Sequence, residues 1–194
     1  MFGFRRRRFE RAGFVLYGRA VTAARAPYLY RDLGVPDTLD GRFDLVGLYA
    51  FLLVRRLEAD PPAGHHLAQA VFDAMFSDMD VTLRELGVGD LSVGKRVKAM
   101  WEAFHGRARA YEAALSAPVE LPFGSPVGPD EGEPLAEALA RNVWRGKPVP
   151  GGPARLARLV RAEDRHLASQ SFAELAGGSV AFLSPEEAVP WHPG

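Results

Sequence analysis

The chain has 194 residues, 47% hydrophobic and 10% aromatic, enough for one domain with a sizeable core and too apolar for wholesale disorder. Its 24 basic and 24 acidic residues cancel, so no overall field draws it to nucleic acid, and no DNA partner is expected. The absence of cysteine excludes disulfides, thiolate metal sites, a cysteine nucleophile and covalent haem attachment.

Residues 1–10 read as a basic flexible tail, with Arg5, Arg6, Arg7 and Arg8 beside Phe2, Phe4 and Phe9. No apolar run of signal-peptide length follows, so a secretory leader is not expected. The four arginines suit an anionic membrane surface, each contributing about 1 kcal/mol there. A flexible tail without a role is an equal alternative. The helical domain is expected over 11–183, and a Pro-rich tail over 184–194.

Arg11 to Ala24 has the spacing of a first helix, through Phe14, Val15, Tyr17, Val21 and Ala24. Pro27 interrupts it, and Tyr28 to Leu33 form a short helical turn ended by Gly34. Asp37, Thr38 or Asp40 can then cap a second long helix, about Gly41 to Glu58. That helix is apolar on nearly every side from Leu45 to Val54, as the central helix of a bundle is. The apolar run is about half the roughly twenty residues a bilayer span requires.

After Asp60-Pro61-Pro62, a third helix spans about His65 to Leu86, its expected buried stripe running through Leu67, Val71, Met75, Met79, Leu83 and Leu86, widened by Phe72 and Phe76. Gly87-Val88-Gly89-Asp90 turns the chain, and Ser92 is the expected cap of a fourth helix, Val93 to Leu115. Val93, Val97, Met100, Phe104, Ala108, Tyr111 and Leu115 give that helix the cleanest period in the chain. A long Pro/Gly-rich loop covers 116–133. Pro134 suits the first turn of a fifth helix ending near Trp144, with Gly146 behind it. A last helix runs from Pro153 to Leu175, and Ser179 to Leu183 is a weak strand candidate. The expected fold is an all-α, single-domain bundle of six to seven helices.

Charged faces carry the functional signal. Asp73, Ser77, Asp80 and Arg84 share the side of the third helix opposite its apolar stripe, with Asp80 and Arg84 spaced as an ion pair. This is either a solvated face or a docking surface for a cationic segment. Asp78 falls at the edge of the stripe, so it is either paired and partly buried or left for a partner. Lys95 and Lys98 line the outer face of the fourth helix, and Arg96 and Arg107 flank its stripe. Solvation is one reading; contact with an acidic protein surface, RNA or anionic lipid is the other. Asp44 and Arg55 lie about three turns apart, hence on one face of an otherwise apolar helix. Apart from Ser77, these ten charged residues are the candidate partner-binding set.

Chemistry is harder to find. Asp73, Asp78 and Asp80 would suit Mg²⁺, which keeps a helical Mg-dependent enzyme on an isoprenoid or quinone substrate as an alternative. No second aspartate-rich helix supports it. A lipid-binding adaptor using Arg5 to Arg8 is the other alternative. No histidine pair has ligand spacing, and no G-x-S-x-G, Walker or Rossmann pattern occurs. No catalytic residue, metal site or cofactor is assigned. The residues describe a helical binding protein.

Several runs resemble the ubiquinol–cytochrome c chaperone family of alphaproteobacteria and mitochondria. They are Gly34-Val35-Pro36-Asp37-Thr38-Leu39-Asp40-Gly41-Arg42-Phe43-Asp44, the stretch Phe72 to Lys98, Ala103-Phe104-His105-Gly106-Arg107, and Leu139-Ala140-Arg141-Asn142-Val143. The resemblance spans about residues 12 to 182. It implies an assembly factor for ubiquinol–cytochrome c reductase (complex III), not an enzyme, with newly made cytochrome b as client. For mitochondrial members it also implies a small helical co-chaperone and the ribosome as partners; both stay open for this chain. The mitochondrial N-terminal extension is missing, so the expected place is the cytoplasm, peripheral to the inner membrane.

Overall fold

In the computed structural model the backbone is described for residues 2–117 and 133–190, and the side chains from Arg7 onward. Nine helices follow one another among these residues: α1 (Phe2–Ala24), α2 (Pro27–Arg31), α3 (Leu39–Glu58), α4 (Ala63–Glu85), α5 (Asp90–Ser116), α6 (Pro134–Asn142), α7 (Gly152–Ser169), α8 (Phe172–Ala176) and α9 (Pro185–Ala188). No strand occurs among them, and the fold is all-α. Six helices form the bundle; α2, α8 and α9 are single turns that close its ends.

α3 is the central helix, as its apolarity on all sides requires. Leu45, Leu48, Leu52, Leu53 and Leu57 are buried, and α1, α4, α5 and α7 all pack around it. Of its three possible caps Thr38 is used: its hydroxyl accepts the Gly41 N–H at 3.1 Å. α1 lies closest to α4, because a Cβ on Gly13 would stand 2.6 Å from the Ala70 carbonyl carbon. At the start of α4, a Cβ on Gly64 would meet the Leu57 carbonyl oxygen at 1.9 Å. Gly64→Ala must therefore push α4 away from α3. The expected loss is about 1–3 kcal/mol, read from the urea midpoint at unchanged slope.

The helix ends differ from expectation at several places. α1 starts at Phe2 rather than Arg11, so helical backbone runs through the segment expected as a basic tail, and Phe9 packs against the core. α5 starts at Asp90, with Gly89 rather than Ser92 at the cap position; Asp90 places a negative charge in the first turn. The expected last helix is two. At Ser171 the side chain caps Glu174 N–H while the Glu174 carboxylate accepts from Ser171 N–H, and this capping box starts α8 anew.

Ser179 to Leu183 is neither helix nor strand. Side chains pin it instead: Gln170 exchanges two hydrogen bonds with the backbone of Ala181, and buried Glu163 accepts the Leu183 N–H at 3.1 Å. Beyond it Val189 is buried, and its carbonyl accepts from the Tyr28 hydroxyl, so the expected C-terminal tail is docked at least to that point. Of the expected loop 116–133, residues 118–132 lie outside the described residues.

Candidate functional site: an amphipathic groove between four helices

A groove of about 550 Å³ opens between α1, α3, α4 and α5. Its apolar walls include Val21, Phe43, Val46, Met79, Leu83 and Met100. Val21, Phe43, Val46 and Met100 are half-buried there, while Met79 and Leu83 are buried at its base. Two unbranched methionines give the walls an adaptable surface. Leu39 and Leu86 stand exposed at the mouth.

The floor is charged. Asp44 is 2% exposed, with Arg107 Nη1 at 2.8 Å from its Oδ1 and Arg145 Nη2 at 3.2 Å from its Oδ2. The Arg145 contact is a hydrogen bond. The Arg107 contact has ion-pair distance without hydrogen-bond geometry, so Oδ1 is held by charge alone. Burial pushes the Asp44 carboxyl up to about 6, against the pull of Arg107 and then Arg145. Arg107 also lies over the Phe43 ring, 5.7 Å from its centroid. Arg145 reaches in from just past α6 with its backbone in the left-handed region at φ 53°, where a non-glycine residue is strained.

On the α1 side, the Tyr17 hydroxyl donates to Asp78 at 2.7 Å. Burial first, and then Asp78, push the Tyr17 phenol up, so it stays protonated and keeps donating. Asp78 thus sits at the edge of the stripe, in the groove, and is paired. At the rim Arg25 and Arg96 are exposed, and neither has an ion-pair partner among the described residues.

The structure divides the ten candidates. Asp44, Asp78, Arg96 and Arg107 line the groove. Arg55 does not join Asp44. It points between α5 and α7, bridging Glu112 and Asp164, the latter at 2.9 Å, and ties three helices together. Asp73 accepts from Gln69 at 2.7 Å, and Arg84 links Asp80 at 2.6 Å to Asp90 across the α4–α5 turn. Lys95 and Lys98 are exposed outside the groove, with Lys98 3.8 Å from Glu102. Arg7 and Arg8 are exposed on α1, while the side chains of Arg5 and Arg6 lie outside the described residues. Asp73, Asp78 and Asp80 each have a different organic partner, and no cluster of metal-ligating side chains occurs among the described residues.

Tyr17, Arg25 and Arg145 are groove residues that sequence reasoning missed. Arg145 is 101 residues from Asp44, and no local pattern announces such a pairing. The only local signal was Gly146 beyond the helix, which marks a tight exit but not what the preceding side chain touches.

The site is an apolar groove with a clamped carboxylate beneath it and two exposed guanidinium groups at its rim. The fold and site define a helical bundle with an open amphipathic groove. The chain belongs to the ubiquinol–cytochrome c chaperone family, whose sequence profile matches residues 31–182, and is accordingly a complex III assembly factor rather than an enzyme. Among solved structures it is similar to the crystal structure of the Cbp3 homolog from Brucella abortus. The two share 33% identity over 96% of each chain, with a TM-score of 0.78. No curated protein matches.

Proposed function

We propose that the protein holds newly made cytochrome b, or an early complex III intermediate, at the cytoplasmic face of the inner membrane. One amphipathic client segment would lie in the groove, its apolar face against Met79, Leu83 and Met100. Its acidic side chains would meet Arg25 and Arg96. The observation that carries this reading is the groove itself: apolar walls joined to rim cations that lack carboxylate partners among the described residues. Helix-in-groove recognition uses this combination. No described helix is long and apolar enough to cross a membrane, and the proposed membrane contact is peripheral. A small helical co-chaperone and the ribosome are further partners that the family suggests.

Deleting the gene is expected to remove haem b from reduced-minus-oxidised membrane spectra; unchanged complex III would refute the proposal. At residue level, Arg96→Glu is expected to weaken co-purification of cytochrome b by about tenfold or more in detergent extracts. Reversal of Lys95 and Lys98 in the same extracts is expected to leave capture unchanged, because neither side chain lines the groove. Equal losses for the two sets would move the client off the groove.

A further inference from the structure

α1 has a face that the bundle does not use. Ala12, Gly13, Leu16, Tyr17, Ala20 and Ala24 are buried. At 100° per residue the opposite ridge runs through Arg7, Arg11, Phe14, Gly18, Thr22 and Arg25, all of them exposed. Phe14 is 66% exposed and Val15 beside it 41%, so neither joins the core. A Cβ on Gly18 would touch nothing within 4 Å, and the Thr22 hydroxyl donates to the Gly18 carbonyl at 3.0 Å. The middle of the ridge is therefore apolar, bare or bonded within its own helix, and it offers little to a polar partner.

Cations bracket this middle. Arg7, Arg8 and Arg11 are exposed before it and Arg19 and Arg25 after it, and none of the five has an ion-pair partner among the described residues. Glu10 is the one carboxylate from Arg7 to Arg25, and five against one leaves the stretch at +4. On the helices packed against α1, Tyr17 holds Asp78 in the groove, Gln69 holds Asp73, and Ser171 holds Glu174 in its capping box. None of these three carboxylates pairs with the ridge. From Arg8 to Arg19 the helix rises about 16 Å. An apolar middle of that length between arginines suits a helix lying along an anionic bilayer. Its apolar side chains reach the acyl boundary while the guanidinium groups stay at the phosphates. Nucleic acid would engage the arginines but gain little from an aliphatic middle that forms no hydrogen bonds.

We infer that this ridge of α1 is a membrane-docking face: Phe14 and Val15 enter the interface of an anionic bilayer, and Arg7, Arg8, Arg11 and Arg19 bind its lipid phosphates. Arg25 belongs both to the ridge and to the groove rim, so docking on α1 sets the groove mouth beside the membrane surface. The inference rests on the membrane-face reading above. Its test contains no client, so it fails or succeeds independently of the cytochrome b experiments.

The chain has no cysteine, so a single introduced thiol reports from one place only. The full chain is prepared as Gly18→Cys, in the middle of the ridge, and separately as Glu137→Cys. Glu137 is exposed on α6, which packs on α5 and α7. Each thiol is labelled with an environment-sensitive fluorophore. Vesicles of phosphatidylcholine mixed with phosphatidylglycerol are expected to blue-shift the label at position 18 and leave that at position 137 unmoved. Raising the salt is expected to reverse most of the shift. Sedimentation of unlabelled chain with the same vesicles is expected to weaken about tenfold in Phe14→Ser, and tenfold or more in Arg7→Glu/Arg11→Glu. The substituted side chains are exposed, so helicity should not change, and circular dichroism checks this. No shift at position 18, equal shifts at both positions, or an equal response to phosphatidylcholine alone would each overturn the inference. So would retention by RNA without any vesicle response.

Discussion

Arg107→Ala is expected to lower stability by about 2–4 kcal/mol at pH 8, and to lose most of that effect near pH 5. The cause is Asp44, a carboxylate that is 2% exposed and depends on two guanidinium groups. Removing one partner of a buried ion pair leaves charge in a poorly solvating place, which costs more than the pair ever contributed. Arg145 remains at 3.2 Å and is 58% exposed at its side chain, so it softens the loss without replacing Arg107.

The pH dependence follows from the direction of the Asp44 shift. The folded protein holds this carboxyl at about 6, above its ordinary 3.8, so the fold favours the neutral form. Below about pH 6 Asp44 takes up a proton and no longer needs a guanidinium, and the Arg107 substitution becomes mild. Above it the full penalty applies. A chain of this size loses about 2–4 °C of Tm per kcal/mol, so thermal unfolding at two pH values resolves the difference. Asp44→Asn added to Arg107→Ala should recover most of the loss. A penalty equal at both pH values, or no recovery, would mean that Arg107 matters through its packing on Phe43 instead.

Glu163→Gln should act in the opposite direction, raising stability at pH 8 by about 1–2 kcal/mol. Glu163 is 1% exposed on α7, and its carboxylate accepts from the Leu183 N–H. Burial pushes its carboxyl up to about 7, with the Leu183 bond pulling back. Between about pH 4.5 and 7 the folded chain therefore binds more protons than the unfolded one, and stability falls as pH rises through that window. Glutamine imitates the neutral acid at every pH and keeps an acceptor for Leu183. The variant should thus match the parent near pH 4.5 and exceed it at pH 8, flattening its slope of Tm against pH. Glu163→Ala is the contrasting case: it orphans the Leu183 N–H and should destabilise at both ends. A glutamine variant less stable at pH 8 would show that Glu163 has a cationic neighbour supporting its charge.

The bundle was largely legible because its helices announce themselves by period. α3 reads as central from Leu45 to Val54, and α4 and α5 from stripes that fall on buried positions such as Leu67, Val71, Met75, Val93, Phe104 and Tyr111. Where local chemistry offered two answers, the reading slipped. Ser92 and Gly89 both suit the start of α5, and the capping box at Ser171 was hidden inside a pattern that continues as helix on either side.

The charged residues were found but not sorted. Helical angles placed Asp78 at the edge of the stripe, which is where the Tyr17 hydroxyl meets it. The same angles put Asp44 and Arg55 on one face, yet α5 and the turn after α6 supply partners for the first while α5 and α7 supply them for the second. A helix of twenty residues passes more than one neighbour, and periodicity says nothing about which neighbour stands where.

By itself the sequence determined the helices, the central place of α3, the want of thiol chemistry and the family. Each of these depends on residues near one another in the chain or on runs that stay recognisable. Only the tertiary structure decided that Asp44, Asp78, Arg96 and Arg107 share a groove and that Arg55 is a brace between helices. It alone brought Arg145 to Asp44 and left Phe14 uncovered. Ion pairs and grooves are made where helices distant in sequence cross, and the packing of whole helices selects which side chains meet there.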